Sequence, residues 1–200
     1  MMMDERLRKQ LEFLIEIDKM KLILRQTLTA DGSRRENDAE HSWHLAMGAM
    51  TLYEHCPFEI DVSHTVKMAL VHDLVEIYAG DTFAYDEKGH KDKFERELAA
   101  ADKLFSMLPD EKQKKEFFDL WREFEDEQTN DARFAAAIDH LLPFINNHLT
   151  QGHTWKLNNV KRSSVMKRMA SIEQVIPGAW GAVNAIVEDA IKNGWMIDDR

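Results

Sequence analysis

His72 and Asp73 interrupt the otherwise apolar run Met68-Ala69-Leu70-Val71-His72-Asp73-Leu74-Val75-Glu76-Ile77-Tyr78-Ala79. His41 begins a second apolar helix face, and Asp139 follows Phe134-Ala135-Ala136-Ala137-Ile138. A buried carboxylate is costly unless it is paired or bound to a cation. Each residue alone has an ordinary explanation: a satisfied core histidine, an acid paired with an arginine, a local cap. Together, two imidazoles and two carboxylates can supply four ligands to one divalent ion. Adjacent helical residues point about 100° apart. His72 and Asp73 can therefore flank an ion lying over their helix, with His41 and Asp139 completing the shell from other helices. Glu76 falls one turn after His72 and shares its face. Asp81 lies just beyond the helix end. Either acid could reach water on such an ion without being a ligand.

Helices must position these groups. Glycine (8) and proline (4) are scarce, which favours helix over an all-β fold. Apolar spacing predicts a first helix from about Asp4 to Leu28, then a polar turn, TADGSRREND. Asp38 can cap a second helix reaching about Glu54, and a third runs from Asp61 or Ser63 to Gly80. GDTFAYDEKGHK reads as a loop, whose Phe83, Tyr85, Lys88 and Lys91 could cover a base or a phosphate. Amphipathic helices are expected over 91–107 and 110–126, and another over 131–149 with a kink at Pro143. Two more are expected near 160–174 and 179–193. Period-2 strands, repeats and low-complexity linkers are absent from the pattern. The reading is all-α: a single helical domain with a core at about 10–150 and a C-terminal helical extension at about 151–200.

Composition removes several classes of function. A formal charge of −10, without a Lys/Arg stripe, argues against a nucleic-acid partner. Cys56 is the single cysteine, so neither an internal disulfide nor a cysteine zinc pattern is possible. MMMDERLRKQLEF lacks the apolar run of a signal peptide, and no stretch approaches the roughly 20 apolar residues of a membrane span. A cytoplasmic location is expected.

The segments Glu40-His41-Ser42, Ala69-Leu70-Val71-His72-Asp73-Leu74-Val75-Glu76, Gly80-Asp81 and Ala137-Ile138-Asp139 resemble, in order and spacing, the HD-domain superfamily. More narrowly they look like its 5′-deoxyribonucleotidase branch, over roughly residues 10–150. The resemblance implies an HD-domain helical bundle and a metal-dependent phosphohydrolase. Carried over residue by residue, it makes His41, His72, Asp73 and Asp139 the metal ligands. Glu76 and Asp81 become the acids that handle the nucleophilic water. A phosphate-binding arginine falls where Arg25 stands, with Arg34 and Arg35 as secondary candidates. Close relatives tend to carry an aromatic residue soon after that arginine. Here Gln26-Thr27-Leu28 follow, a departure that bears on sugar recognition.

The expected reaction is release of phosphate from (deoxy)nucleoside 5′-monophosphates by water activated on one divalent ion, whether Mn²⁺, Co²⁺, Fe²⁺, Ni²⁺, Zn²⁺ or Mg²⁺. The alternatives on the same fold are a nucleotide pyrophosphohydrolase or phosphodiesterase, and a non-catalytic metal-stabilised nucleotide-binding module. His90, His140, His148 and His153 are the candidates for a second metal. The apolar run AWGAVNAIVEDAI suggests a homodimer, as does self-association in the family.

Overall fold

The computed structural model describes residues 3–86 and 88–200. Met1 and Met2 of the expected first segment, and Glu87 of the expected loop, lie outside the described residues. Ten α-helices are described: α1 Glu5–Ile17, α2 Asp38–Leu52, α3 Val62–Val71, α4 Glu76–Ala79, α5 Lys93–Phe105, α6 Glu111–Asp126, α7 Asn130–Leu149, α8 His153–Leu157, α9 Arg162–Val175 and α10 Trp180–Lys192. A two-stranded antiparallel hairpin, β1 Leu24–Leu28 and β2 Arg35–Asn37, is inserted after α1.

That hairpin corrects the first expected helix. Leu22 and Leu24, which fall at helical spacing with Leu7, Leu11, Leu14 and Ile15, are exposed, while Thr27 is buried. The polar segment after β1 folds as a tight turn. The Thr29 hydroxyl donates to Asp31 (2.6 Å), Ser33 N–H donates to the same carboxylate (3.1 Å), and Gly32 adopts φ 71°. Left-handed backbone of this kind favours glycine. Strands of five and three residues are too short to register a period of two. Arg25 therefore rides on a strand, not on a helix end.

The expected third helix is also divided. Beyond Val71 the backbone changes to i→i−3 bonding: Leu74 N–H to Val71 O (3.1 Å) and Glu76 N–H to Asp73 O (3.0 Å), before the single turn of α4. Residues three apart eclipse one another in such a winding. Asp73 and Glu76 thus share a face, and Glu76 is drawn toward Asp73 instead of His72. The one-turn helix α8, after Gly152 at φ 65°, is a further element that periodicity did not indicate.

Two apolar clusters form the interior. One joins Leu45 and Ala49 of α2, Phe134 and Ile138 of α7, Trp155 of α8, Val165, Met169 and Ile172 of α9, and Val183 and Val187 of α10. The other joins Phe13, Met68 of α3, Leu104 of α5, and Leu120 and Trp121 of α6. The apolar run of the last helix therefore buries Val183, Val187 and Ala190 inside this chain. Helices α2, α3 and α7 meet between the clusters. Ala137 of α7 belongs to the first cluster and Ala135 to the second, and Gly48 tightens the α2–α7 contact. A Cβ at Gly48 would stand 2.7 Å from Ile138 Cγ2, next to Asp139. Pro143 sits inside α7, which continues through it to Leu149.

Candidate metal centre and phosphate pocket

α2 begins with a capping box. The Asn37 side chain accepts from Glu40 N–H (3.0 Å), while Glu40 accepts from Asn37 N–H (3.2 Å). Asn37, not the expected Asp38, is therefore the cap. Capping fixes the helix phase so that Asp38, His41, Ser42 and Leu45 all point inward. His41 is fully buried, and its Nε2 lies 2.8 Å from Asp139 Oδ1 of α7. The close α2–α7 approach at Gly48 makes that distance possible.

His41, His72 and Asp73 bring one donor atom each within 4.8 Å of one another. Asp139 joins through His41 and turns its other oxygen, Oδ2, to Arg168 of α9 at 3.3 Å. His72 Nδ1–H donates to the Ala69 carbonyl (2.8 Å), so Nε2 carries the lone pair. That Nε2 has no hydrogen-bond partner and stands 3.1 Å from Asp73 Oδ2. Two electron pairs this close call for positive charge between them. The donor set fits a mid-sized divalent cation.

A second buried group is built from Asp38, Asp73 and Glu76, again within 4.8 Å. Neither Asp38 oxygen has a hydrogen-bond partner, although the residue is fully buried. Its counter-charge is Arg25, which lies in the middle of the carboxylates. Arg25 Nη1 is 2.8 Å from Asp73 Oδ2 and 3.5 Å from Asp38 Oδ1, and Nη2 is 3.8 Å from Asp139 Oδ1.

Burial and mutual charge set the protonation of this assembly. Burial pushes His41 down to about 4, helped by the charge of Arg25. Burial pushes Glu76 well above the ordinary carboxylate range, reinforced by Asp73 and Asp38. Asp38 is pushed up to about 7, by burial first and Asp73 second. Burial also works to raise Asp139, but His41, Arg168 and Arg25 outweigh it and hold that carboxyl well below its usual value. In the same way the neighbouring His72 ring and the charge of Arg25 overcome burial and lower Asp73. The result is a crowded acidic floor faced by the Arg25 guanidinium, able to accept both a cation and a proton.

Above the floor is a cavity of about 190 Å³. Arg25, His72, Asp73, Glu76, Asp81 and Asp139 all line it, and His41 lies beneath. Gly80, at φ 77°, ends α4 and turns Asp81 toward the cavity. The following loop is strapped by Arg96 of α5, which donates to Ala79 O (2.8 Å), Thr82 Oγ1 (3.1 Å) and Gly89 O (3.0 Å). Phe83 and Tyr85 of that loop line the cavity, stacked edge to face at 5.4 Å, whereas Lys88 and Lys91 do not.

Arg34 and Arg35 are not brought to the cavity. Arg34 is exposed and paired with Glu40 at 2.6 Å. The Arg35 guanidinium donates to the Leu24 and Arg25 carbonyls and so braces the hairpin. His90 and His140 line the cavity. His148 lies near Asp189 and Trp195, His153 lies elsewhere on the surface, and among the described residues the four form no metal-binding group. Asp38 and Arg168 are the site residues that sequence reasoning passed over. Asp38 shares the helix face of His41 at i−3, a spacing visible in the sequence. Arg168 had no local signal.

The profile of the HD domain family matches residues 17–180. The chain belongs to the HD domain family. The match extends through α9, beyond the segment that carries the motifs. The crystal structure of a predicted metal-dependent phosphohydrolase from Magnetospirillum magnetotacticum superposes with a TM-score of 0.89 at 46% identity, covering 96% of this chain and 95% of that one. The 5′-deoxynucleotidase HDDC2 of Xenopus laevis is 32% identical over 104 residues, 52% of this chain and 50% of that protein. That of Bos taurus is 30% identical over 134 residues, 66% of this chain and 63% of that protein. This HD-domain chain thus matches between half and just under two thirds of the length of these curated relatives. No described helix is long and apolar enough to cross a membrane.

Proposed function

We propose that this HD-domain chain is a metal-dependent phosphohydrolase that releases phosphate from (deoxy)nucleoside 5′-monophosphates. The observation that carries the reading is the buried His41–His72–Asp73 cluster beside Asp139, roofed by a cavity into which Arg25, Glu76 and Asp81 also face. The similarity to a metal-dependent phosphohydrolase over nearly the whole chain, and to 5′-deoxynucleotidases over part of it, supports the same reading. His41, His72, Asp73 and Asp139 would hold one divalent ion. Bound there, the ion supplies Lewis acidity, offsetting phosphate charge and acidifying water.

The remaining steps belong to side chains. Arg25 holds the phosphate oxygens and stabilises charge that develops on them. Glu76, which lies beside Asp73 and lines the cavity, orients the attacking water and takes its proton. Asp81, which also lines the cavity, joins Glu76 in handling that water. Phe83 and Tyr85 offer a face for the organic part of the substrate. The cations among the lining residues favour a monophosphate over a triphosphate, because Lys93 is already paired with Glu97 (2.9 Å) and Glu125 (3.1 Å).

The reading also includes a cytoplasmic location and a homodimer. For the latter, Trp43, Met47 and Met50 recur at helical spacing on the exposed side of α2, and Leu70 of α3 is also exposed. Light scattering that finds only a 23.3 kDa species would remove the dimer. The decisive experiment for the activity is phosphate release from a panel of nucleoside monophosphates, each with Mn²⁺, Co²⁺, Fe²⁺, Ni²⁺, Zn²⁺ or Mg²⁺. Pyrophosphate release from triphosphates would select the pyrophosphohydrolase alternative. Nucleotide binding without turnover under every ion would select the binding module.

A further inference from the structure

Three cationic side chains other than histidine line the cavity: Arg25, Lys93 and Arg168. Lys93 is saturated by Glu97 and Glu125. Arg25 is held by Asp73, Asp38 and Asp139. Arg168 differs from both. Its single side-chain hydrogen bond among the described residues is Nη2 to Asp139 Oδ2, long at 3.3 Å. A guanidinium carries five N–H donors in a planar fork. Most of that fork is therefore uncommitted, on a side chain only 26% exposed that borders a cavity.

The placement is fixed by packing. Val165, Met169 and Ile172 of α9 are fully buried at i, i+4 and i+7 against the core that contains α7. This locks the rotation of α9 and sets Arg168 at the edge of the buried stripe, facing Asp139. Arg25 and Arg168 approach that one carboxylate at different oxygens, Oδ1 and Oδ2. Two guanidinium groups so arranged face an anion from two sides. Planar N–H forks match the oxygens of phosphate.

We propose that Arg168 is a substrate-binding residue, the second guanidinium of a phosphate clamp whose first member is Arg25. The proposal rests on the phosphohydrolase reading for the identity of the anion. It assigns to α9, outside the motif-bearing segment, a direct part in recognising phosphate.

Metal-loaded wild type, Arg168→Gln and Arg168→Lys should be titrated with inorganic phosphate by calorimetry. The same preparations should be melted, analysed for bound metal and assayed for phosphate release from nucleoside monophosphates. Arg168→Gln is expected to weaken phosphate binding and raise KM by about 10- to 100-fold, a range typical of hydrogen bonds to charged groups. Metal content should stay at the wild-type level, and Arg168→Lys should fall between. Wild-type phosphate affinity in Arg168→Gln would overturn the clamp, whatever the melting temperature does. Loss of metal in step with phosphate binding would overturn it too, making Arg168 a support for Asp139. A wild type that binds phosphate through Arg168 but hydrolyses no nucleotide would keep the clamp and remove the nucleotidase reading. Nucleotide turnover indifferent to Arg168 would do the reverse.

Discussion

The floor and the walls of the HD-domain site are built on different principles. The floor, His41, His72, Asp73 and Asp139, stands on α2, on the turn that follows α3 and on α7, among buried apolar residues such as Leu45, Val71, Leu74 and Ile138. Its members are held by backbone packing, such as the α2–α7 contact at Gly48. The walls come from a strand (Arg25), a loop strapped by Arg96 (Asp81, Phe83, Tyr85) and a late helix (Arg168). They are mixed in character: Arg25 and Arg168 are oriented by ion pairs with the floor carboxylates, while Phe83 and Tyr85 are half-buried aromatics. Rigid apolar surroundings make the floor costly to form without a cation. Its groups should therefore act together, whereas wall residues should act separately and by smaller amounts.

Replacing one of the proposed metal ligands should have the largest effect. His72→Ala should lose bound metal and turnover together, measured by elemental analysis and phosphate release on one preparation. Retention of full metal would dissolve the distinction between floor and wall. Glu76 lies between the two regions. Glu76→Gln should lower kcat by about 10²–10⁴-fold, the usual contribution of a positioned acid–base group, with metal and melting temperature kept. Loss of metal in that variant would move Glu76 into the floor.

Arg25→Ala tests the wall. A fall in kcat/KM of about 10²-fold or more, with metal content unchanged, is expected for removal of a charge-stabilising donor. Ion binding should also register as stability. Wild type should gain about 2.7 kcal/mol when the free ion is 100 times its Kd, read from denaturant melts. Gly48→Ala should blunt that gain by forcing α2 away from Ile138 and Asp139. An unchanged ion response would show that the helix contact does not set the floor. The smallest effect belongs to Arg34→Ala. This arginine makes an exposed ion pair outside the cavity, so stability should change by less than about 1 kcal/mol and kinetics hardly at all.

The floor was legible in the chain because buried polar residues are conspicuous against helical apolar periodicity. His41, His72, Asp73 and Asp139 could be named from local context, and so could the helical class and most helix positions. Sequence did not reveal the β1–β2 hairpin, because its strands are too short to show alternation. It misplaced the helix through His72–Val75, because i→i−3 winding leaves no mark in residue type. The late apolar helix looked like surface, since hydrophobicity is silent about whether a face meets its own chain or another.

Residue types and spacing alone determined an acidic, helical chain with four metal-ligand candidates on three helices. Tertiary structure decided what surrounds them. It placed Asp38 and Arg25 as a buried pair, sent Arg34 to solvent and Arg35 to brace the hairpin, and brought Arg168 to a carboxylate 29 residues away in sequence. The physical reason is the range of the forces involved. Helical periodicity and capping act within one or two turns of a chain. Charge pairing across a cavity depends on where whole helices dock, and docking is settled by packing at positions such as Gly48, Ile138 and Met169.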